Sequence, residues 1–265
     1  MKSLLRCLMF IAVLILFSSS HLSAAPLKLA TTYWPPYTDV QNTAAPGLFV
    51  EVVREVFSRM NQEIVIEEFP WKRSQLYAKN GEVDAIFAAA YSEERAQYAV
   101  YPKAALGPLS YVFFLQAADL LTFAFDSADD LKSLVIGAID GSAVVNIPII
   151  AESAEKWGNV QFTVGEKSEQ EGMLKLDRKI IDCYAGSLLT GQAMVRQLKE
   201  QGRIQSDIQP YLTKPLQETD LFLIFSKQAG YTDDHPTVIA FTQALEEFRQ
   251  TEKYQEIIRK YTHPQ

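Results

Sequence analysis

Short apolar segments along the chain alternate with segments whose apolar residues recur at helical spacing. In the first third of the chain, three segments predict strands: 27–32, 63–69 and 83–90. Between them, the spacing predicts a helix over residues 49–60, and Trp71 opens a second helix that ends at the Asn80-Gly81 turn signal. Strands that alternate with helices in this order predict a mainly parallel β-sheet.

The same alternation resumes in the rest of the chain. Further strands are predicted at 109–115, 134–139, 160–164, 180–185 and 219–225. Helix starts are indicated by the capping boxes at 127–130 and 168–171, near Leu188, and at Pro236. The turn Asp140-Gly141-Ser142 also leads into a helix, but Pro148 follows so closely that this helix is expected to be short, kinked or late.

The residues after the buried segment 83–90 carry a cation in an unusual position. Ser92 suits a helix cap, but Arg95 would lie in the first turn of that helix, where the helix dipole disfavours a cation by roughly 0.3 to 1 kcal/mol. Ligands of open α/β sheets bind beyond the carboxyl ends of the strands, and a guanidinium there can bind a carboxylate. A surface ion pair with Glu93 or Glu94 explains the arginine equally well.

Two loops offer further ligand contacts. The segment 33–37, Tyr-Trp-Pro-Pro-Tyr, follows the first predicted strand, and its prolines restrict the backbone. One interpretation is that Trp34 and Tyr37 both shield an edge of the hydrophobic core. For Trp34 only, the favoured interpretation is that its ring forms a wall of a ligand site. In the second loop, Gly141 allows close backbone approach and Ser142 adds a hydroxyl near helix N–H groups, so an anion site and an ordinary helix cap both remain open.

The amino terminus has the three-part pattern of a secretory signal peptide. Lys2 and Arg6 precede an apolar run over residues 8–17, and small residues follow as far as Ala25. The run is short for a membrane span, although an uncleaved anchor is the alternative. Residues 1–25 are therefore predicted to be a signal peptide, and the protein is predicted to be periplasmic.

Composition narrows the classes of function. The 265 residues carry a formal net charge of −7, which becomes more negative without Lys2 and Arg6, and this argues against nucleic acid or an anionic membrane as a partner. Cys183 is the one cysteine outside the signal peptide, so no intramolecular disulfide is expected, and its setting indicates a buried strand thiol. The histidines His235 and His263 do not readily form a metal site or a Ser-His-Asp arrangement, so no metal or cofactor is predicted.

A set of short motifs follows a recognisable order. They are YWPPY at 33–37, GLFVE at 47–51, GEVDAI at 81–86, ER at 94–95, DLK at 130–132 with IG at 136–137 and GS at 141–142, and IIRKY at 257–261. In this order and spacing the chain resembles the family 3 extracellular solute-binding proteins, the polar amino-acid class that serves ABC importers. The resemblance covers essentially the whole chain after the signal peptide.

This resemblance implies an α/β structure with a type II periplasmic binding fold, in which two α/β lobes are joined by two crossing strands and close on a ligand. It assigns residues 26–112 to the first part of lobe 1, residues 113–217 to lobe 2, and residues 218–265 to the second part of lobe 1. The crossings are expected near 110–115 and 216–221.

The resemblance also implies roles for particular residues. Arg95 resembles the arginine that binds the ligand carboxylate, and Ser142, beside Gly141, resembles the hydroxyl that completes this clamp. Trp71 and Trp34 resemble the aromatic walls around the ligand. We add Tyr33, the neighbour of Trp34 on the aromatic loop, to the predicted ligand-binding residues.

Two positions depart from the family pattern. Amino-acid binders of this family usually hold the ligand ammonium with two acids, and Thr31 and Ser187 occupy the corresponding places here. A buried ammonium without a carboxylate partner would be poorly stabilised. We therefore expect Thr31 and Ser187 to line the site, and the ligand to lack a free α-ammonium.

The sequence thus predicts a monomeric, exported binding protein, rather than an enzyme, that captures a small polar, carboxylate-bearing molecule for an ABC importer. One alternative is a periplasmic enzyme resembling the cyclohexadienyl dehydratases, with Glu169 or Glu171 as general acid. The helix start predicted there should stabilise the ionised carboxylates, which argues against an acid. The other alternative is a sensory module that presents a ligand to a membrane receptor.

Overall fold

Strands and helices alternate along the chain in the predicted order. In the computed structural model, which describes residues 25–262 except Glu166, the strands are β1 (Leu27–Thr31), β2 (Ile64–Glu68), β3 (Ala85–Ala90), β4 (Ala99–Val100), β5 (Gly107–Gln116), β6 (Ile136–Ile139), β7 (Val160–Thr163), β8 (Cys183–Ser187), β9 (Ile208–Pro210) and β10 (Gln217–Ser226). The α-helices are α1 (Leu48–Arg59), α2 (Trp71–Asn80), α3 (Glu93–Tyr98), α4 (Pro148–Trp157), α5 (Ser168–Asp177), α6 (Leu188–Glu200), α7 (Pro236–Arg249) and α8 (Glu252–Thr262). Short 3₁₀ helices cover Ala128–Leu131 and Ala143–Asn146.

Some sequence-based predictions lie outside the described residues. These are the signal peptide, of which residues 1–24 are not described, and the histidine at position 263. Within the residues that the structure does describe, no helix combines the length and the apolar character needed to cross a membrane.

All the strands join one mixed sheet. Its order is β2-β1-β3-β10-β5-β8-β6-β7, with β4 paired to β10 and β9 paired to β5. Strands β1, β2 and β3 are parallel to one another, and so are β6, β7 and β8. We call β2, β1 and β3 with the adjoining part of β10 the first half of the sheet, and β8, β6 and β7 with the adjoining part of β5 the second half.

The long strands β5 and β10 connect the two halves. Residues 107–111 of β5 pair antiparallel with residues 217–221 of β10. Beyond this segment, β10 pairs with β3, whereas β5 pairs with β8 and β9. The paired segment of β5 begins three residues before the crossing predicted at 110–115, and that of β10 begins one residue after the crossing predicted at 216–221.

Amphipathic helices cover the sheet as their apolar spacing predicts. Helix α1 buries Phe49, Val53 and Phe57 and exposes Arg54, and the Phe57 ring lies 5.3 Å from that of Phe241 on α7. In the second half, the free thiol of Cys183 is buried in β8 as predicted, and burial raises its pKa.

One helix start differs from the sequence-based prediction, and another agrees with it. The capping box at 168–171 would make Ser168 the helix cap, but Lys167 holds that position, and the Ser168 hydroxyl donates to the carbonyl of Gly165 at 2.6 Å. The helix expected after Ser142 is a four-residue 3₁₀ helix, and α4 begins only at Pro148. This late start agrees with the effect expected of the proline, which fits the first turn of a helix but not its interior.

Candidate functional site

The pairing of the central strands brings the carboxyl ends of the parallel strands in both halves to a common gap. Ala90 ends β3 and pairs with Leu221, which in turn pairs with Gly107 of β5. From the other side, Ser187 ends β8 and pairs with Tyr111 of β5. Because Gly107 and Tyr111 are four residues apart on one strand, about 13 Å separate the two carboxyl edges. We call the gap between these edges the cleft.

Arg95 lies at the cleft edge of the first half. Ser92 caps α3 as predicted, and its hydroxyl accepts a hydrogen bond from the backbone N–H of Arg95 at 3.2 Å. The guanidinium donates from Nη1 to the carbonyl of Ala90 at 2.8 Å and from Nε to Gln75 Oε1 at 3.4 Å. Its Cζ atom lies 5.6 Å from the ring centroid of Trp71. The end of β3 and the start of α2 therefore hold the charged group in place.

A surface ion pair does not explain Arg95. Glu94 pairs instead with Lys79 at 2.9 Å, and Arg95 forms no ion pair with a carboxylate in the described part of the chain. Helix α3 has only six residues, so Arg95 also lies in its last turn. The dipole penalty expected from the sequence is therefore weak, because the two helix ends oppose each other over so short a distance.

Two tyrosines complete the surroundings of Arg95. The Tyr101 hydroxyl donates to the carbonyl of Ala90 at 3.1 Å, and the Tyr98 hydroxyl donates to Gln75 Oε1 at 3.3 Å. Burial raises the pKa of both tyrosines, and the charge of Arg95 partly opposes this shift. Sequence reasoning did not select either residue, although Tyr98 follows Arg95 by three positions and therefore lies on the same helix face.

The aromatic loop after β1 is held by several backbone contacts. The N–H of Trp34 donates to the carbonyl of Thr38 at 2.8 Å, and the N–H of Thr38 donates back at 2.9 Å. The half-buried Trp34 ring packs against the core with its centroid 4.5 Å from that of Tyr37. Tyr33 is 63% exposed. The loop is thus constrained as its prolines predict, and Tyr33 is its most exposed ring.

Tyr37 makes a contact that sequence reasoning did not predict. It is buried, as its interpretation as core cover requires, and burial raises its pKa. Its hydroxyl also lies 3.1 Å from the Oγ of Ser187, which ends β8 in the second half. A hydrogen bond between these two hydroxyls therefore joins the loop of the first half to the cleft edge of the second.

The two positions that depart from the family pattern both have protein partners. Ser187 is engaged by Tyr37. Thr31 ends β1 and is fully buried, and its Oγ1 donates to the carbonyl of Phe87 at 3.2 Å. The backbone carbonyl of Thr31 accepts a hydrogen bond from Ser74 Oγ at 2.9 Å, which ties β1 to α2.

The loop with Gly141 and Ser142 lies beyond the carboxyl end of β6. Gly141 is exposed with φ +69°, a left-handed conformation that glycine adopts without strain. The hydroxyl of Ser142 donates to the carbonyl of Ile139 at 2.8 Å. Within the described residues, no hydrogen bond links this loop to Arg95 or to the aromatic loop. The structure thus brings Arg95 to Trp71, and Ser187 to the aromatic loop, whereas the hydrogen bonds of Gly141 and Ser142 in the described residues are local to their own loop.

Glu169 overturns one expectation from the sequence. It is the second residue of α5, and its Oε1 is buried without a hydrogen-bond partner among the described residues, as is the hydroxyl of Tyr184 in β8. Burial raises the pKa of Glu169 to about 7. The nearby Tyr184 hydroxyl partly opposes this shift, although its contact with Glu169 does not have the length and angle of an ordinary hydrogen bond. A position at a helix start favours the ionised form of a carboxyl group, but the loss of hydration around Glu169 outweighs that effect.

A cavity in the second half lies apart from the predicted ligand-binding residues. A cavity of about 340 Å³ lies near the amino ends of β6 and β8, where Leu134 and Asp182 line it. None of the predicted ligand-binding residues lines this cavity. Over residues 25–262, Glu166 excepted, no group of three or more His, Cys, Asp or Glu side chains could hold a metal ion.

Comparison with known proteins gives a family match. The sequence model described as "Bacterial extracellular solute-binding proteins, family 3" matches residues 27–264. No curated protein sequence matches the chain significantly.

Solved structures with similar folds were also found. Substrate-binding domain 2 of GlnP from Lactococcus lactis, in an open conformation, has a TM-score of 0.69 and 16% identity over 90% of this chain and 95% of that one. The second substrate-binding domain of a putative amino acid ABC transporter from Streptococcus pneumoniae has a TM-score of 0.66 and 16% identity over 89% and 99%. A histidine kinase sensor domain with similarity to periplasmic binding proteins has a TM-score of 0.63 and 15% identity over 91% and 97%. At these identities the likeness establishes the fold alone, which is the type II periplasmic binding fold.

Proposed function

Because the chain belongs to family 3 of the bacterial extracellular solute-binding proteins, we propose that it captures a small polar, carboxylate-bearing solute in the cleft and delivers it to an ABC importer. The two lobes are residues 26–112 with 218–265, and residues 113–217. The paired segments of β5 and β10 serve as the hinge about which the lobes close.

The state of Arg95 carries this proposal. Its guanidinium is oriented by Ala90 and Gln75 at the cleft edge, yet no carboxylate pairs with it among the described residues. A cation held in this way offers parallel N–H groups to a solute carboxylate. Trp71 beside it supplies a flat apolar surface.

The remaining predicted residues complete the site. Trp34 and Tyr33 form an aromatic wall on the first lobe, and Gly141 and Ser142 contact the carboxylate from the second lobe when the cleft closes. Thr31 and Ser187 line the site and place no negative charge in it. The solute therefore lacks a free α-ammonium, which would remain unpaired in this part of the site.

A thermal-shift screen followed by calorimetry tests the proposal. Organic acids and amine-blocked compounds should raise the melting temperature more than glutamine, arginine or histidine does, because saturating ligand stabilises the folded state. Arg95→Ala should weaken binding of the best compound by about 2 to 5 kcal/mol, whereas the exposed Arg54→Ala on α1 should bind like the wild type. Unchanged affinity in Arg95→Ala would contradict the proposal.

Export and delivery form the second part of the proposal. We infer that residues 1–25 are a signal peptide and that the monomeric protein works in the periplasm. Cells that lack the protein should then take up less of the labelled solute. If uptake is unchanged while a transcriptional response to the solute is lost, the protein presents its ligand to a membrane receptor instead.

The raised pKa of Glu169 favours a second candidate function, that of an enzyme with the dehydratase-like chemistry considered above. A carboxyl group with a pKa near 7 can act as a general acid at neutral pH. We expect purified protein to leave prephenate and arogenate intact. Steady product formation that disappears in Glu169→Gln would support the enzyme.

A further inference from the structure

Glu169 and Tyr184 form a buried polar pair that the proposed function does not use. The Oε1 atom of Glu169 and the hydroxyl of Tyr184 are both buried. They lie close enough for the hydroxyl to lower the pKa of Glu169, but no hydrogen bond of ordinary length and angle joins them to each other or to another residue in the described part of the chain. Buried polar groups in proteins are nearly always satisfied, so an unsatisfied pair needs an explanation. A bound solute is one such explanation if the pair lies at the cleft.

Three glycines hold the tyrosine ring in place. A Cβ atom at Gly172 of α5 would overlap with the ring, and Cβ atoms at Gly186 and Gly137 would lie 2.7 Å and 3.2 Å from it. The ring therefore fills a groove that only glycines leave open, and the hydroxyl cannot move far. The glycines thus fix the position of the Tyr184 hydroxyl.

The pair is close to the cleft edge of the second half. A Cβ atom at Gly186 would lie 3.4 Å from Glu169 Oε1, so this carboxyl oxygen lies next to the backbone of β8 at that residue. Gly186 directly precedes Ser187, whose hydroxyl bonds to Tyr37 across the cleft. Helix α5 also begins just beyond the carboxyl end of β7, at the same edge of the sheet.

Among the described residues, no cation on the elements around Glu169 forms an ion pair with it. On its own helix, Lys167 and Glu171 are exposed, and the guanidinium of Arg203 contacts the neighbouring Gln170 instead. The first turns of α6 carry no charged residue before Arg196, and neither β6 nor β8 contains a charged residue. A carboxyl group without a cation in such surroundings favours its neutral form, which can donate a hydrogen bond.

We propose that Glu169 and Tyr184 form a second polar subsite of the cleft, in which protonated Glu169 donates a hydrogen bond to an oxygen of the captured solute. This inference rests on the proposed function, since Arg95 binds the first carboxylate. The solute class is then a dicarboxylate, or a carboxylate with a hydroxyl or oxo group. When an ionised Glu169 meets such a solute, it takes up one proton from solution, because an anion disfavours a second negative charge beside it.

The direction of the pH dependence separates this subsite from an ammonium site. An oxygen acceptor requires protonated Glu169, so binding strengthens as the pH falls. An ammonium would require the ionised form, and its binding would strengthen as the pH rises. Burial raises the pKa of Glu169 to about 7, so the range from pH 6 to pH 8 covers the change.

Calorimetry with defined probes tests the subsite. The probes are succinate, L-malate and 2-oxoglutarate, with L-aspartate and L-glutamate as amine-bearing counterparts. The affinity for the best of the first three should fall about tenfold between pH 6 and pH 8, as the protonated fraction of Glu169 falls. Glu169→Gln should abolish this dependence because glutamine does not titrate, and Glu171→Gln on the same helix should retain it.

Several results would contradict the proposal that Glu169 and Tyr184 form a subsite. These are an affinity that does not change with pH, one that is higher at pH 8, a dependence that persists in Glu169→Gln, or no binding of any of the first three probes at millimolar concentration. The Arg95→Ala variant keeps the two proposals apart. If Arg95→Ala still binds the probe, the proposed function alone is contradicted. If Arg95→Ala loses binding and the wild-type affinity does not change with pH, the proposal of the subsite alone is contradicted.

Discussion

The two edges of the cleft differ in how far the protein satisfies its own polar groups. At the first-half edge, the carbonyl of Ala90 accepts hydrogen bonds from Arg95 and Tyr101, and the Thr31 hydroxyl also has a protein partner. At the second-half edge, Glu169 Oε1 and the Tyr184 hydroxyl are buried near each other, but among the described residues neither forms a hydrogen bond of ordinary geometry. The first edge is therefore oriented before any solute binds, whereas the second retains unsatisfied groups that a solute can engage.

The largest expected effect is the pH dependence of stability that Glu169 causes. Its folded pKa of about 7 exceeds the ordinary 4.5, so the folded state retains the proton longer than the unfolded state. The resulting stabilisation is full below about pH 4.5 and is lost as the pH rises through about 7. Urea denaturation should show this group contributing a decline of up to about 3 kcal/mol over that range.

The matched variants isolate the contribution of Glu169. Glu169→Gln should remove this part of the decline, and Glu171→Gln, an exposed acid on the same helix, should preserve it. If both variants keep the same decline as the wild type, Glu169 titrates like a solvated acid, and the contrast between the two edges does not hold.

A smaller effect is expected from filling the groove beneath Tyr184. Gly172→Ala places a methyl group where the ring lies, and overpacking usually costs about 1 to 3 kcal/mol, of which the better helix propensity of alanine recovers up to about 1. A net destabilisation of about 1 to 2 kcal/mol should appear in chemical denaturation. A more stable Gly172→Ala would show that the ring is free to move.

The hydrogen bond between Tyr37 and Ser187, which joins the two edges, should make a still smaller contribution to the free energy of unfolding. A double-mutant cycle with Tyr37→Phe and Ser187→Ala should give a coupling of about 1 kcal/mol in the free energy of unfolding, the usual contribution of a hydrogen bond. Additive single variants would mean that the hydroxyls are adjacent but not bonded. In that case the first edge would be independent of the second.

The smallest effect concerns the acid next to Arg95. Glu94→Gln removes an exposed ion pair with Lys79, and such pairs rarely contribute measurably. Its unfolding free energy and its solute affinity should both match those of the wild type. A clear loss of affinity would show that Glu94 positions Arg95, and that the first edge depends on a surface charge.

The sequence by itself determined the architecture and much of the first edge. Periodic apolar positions predicted β3, α1 and the order of the elements, because burial against a sheet imposes its own period on the chain. Turn and cap signals located Ser92 and Arg95, and the motifs around them indicated the family that the match over residues 27–264 confirms. These features are local, so neighbouring residues suffice to specify them.

Only the tertiary structure decided the second edge and its link to the first. No local signal shows that Tyr37 meets Ser187, 150 positions away, or that glycines from α5, β6 and β8 surround Tyr184. The pKa of Glu169 reversed the expectation from its helix position, because hydration depends on what packs around a carboxyl group rather than on its neighbours in the chain. Burial and long-range contact arise from the whole fold, and they give this edge its chemistry.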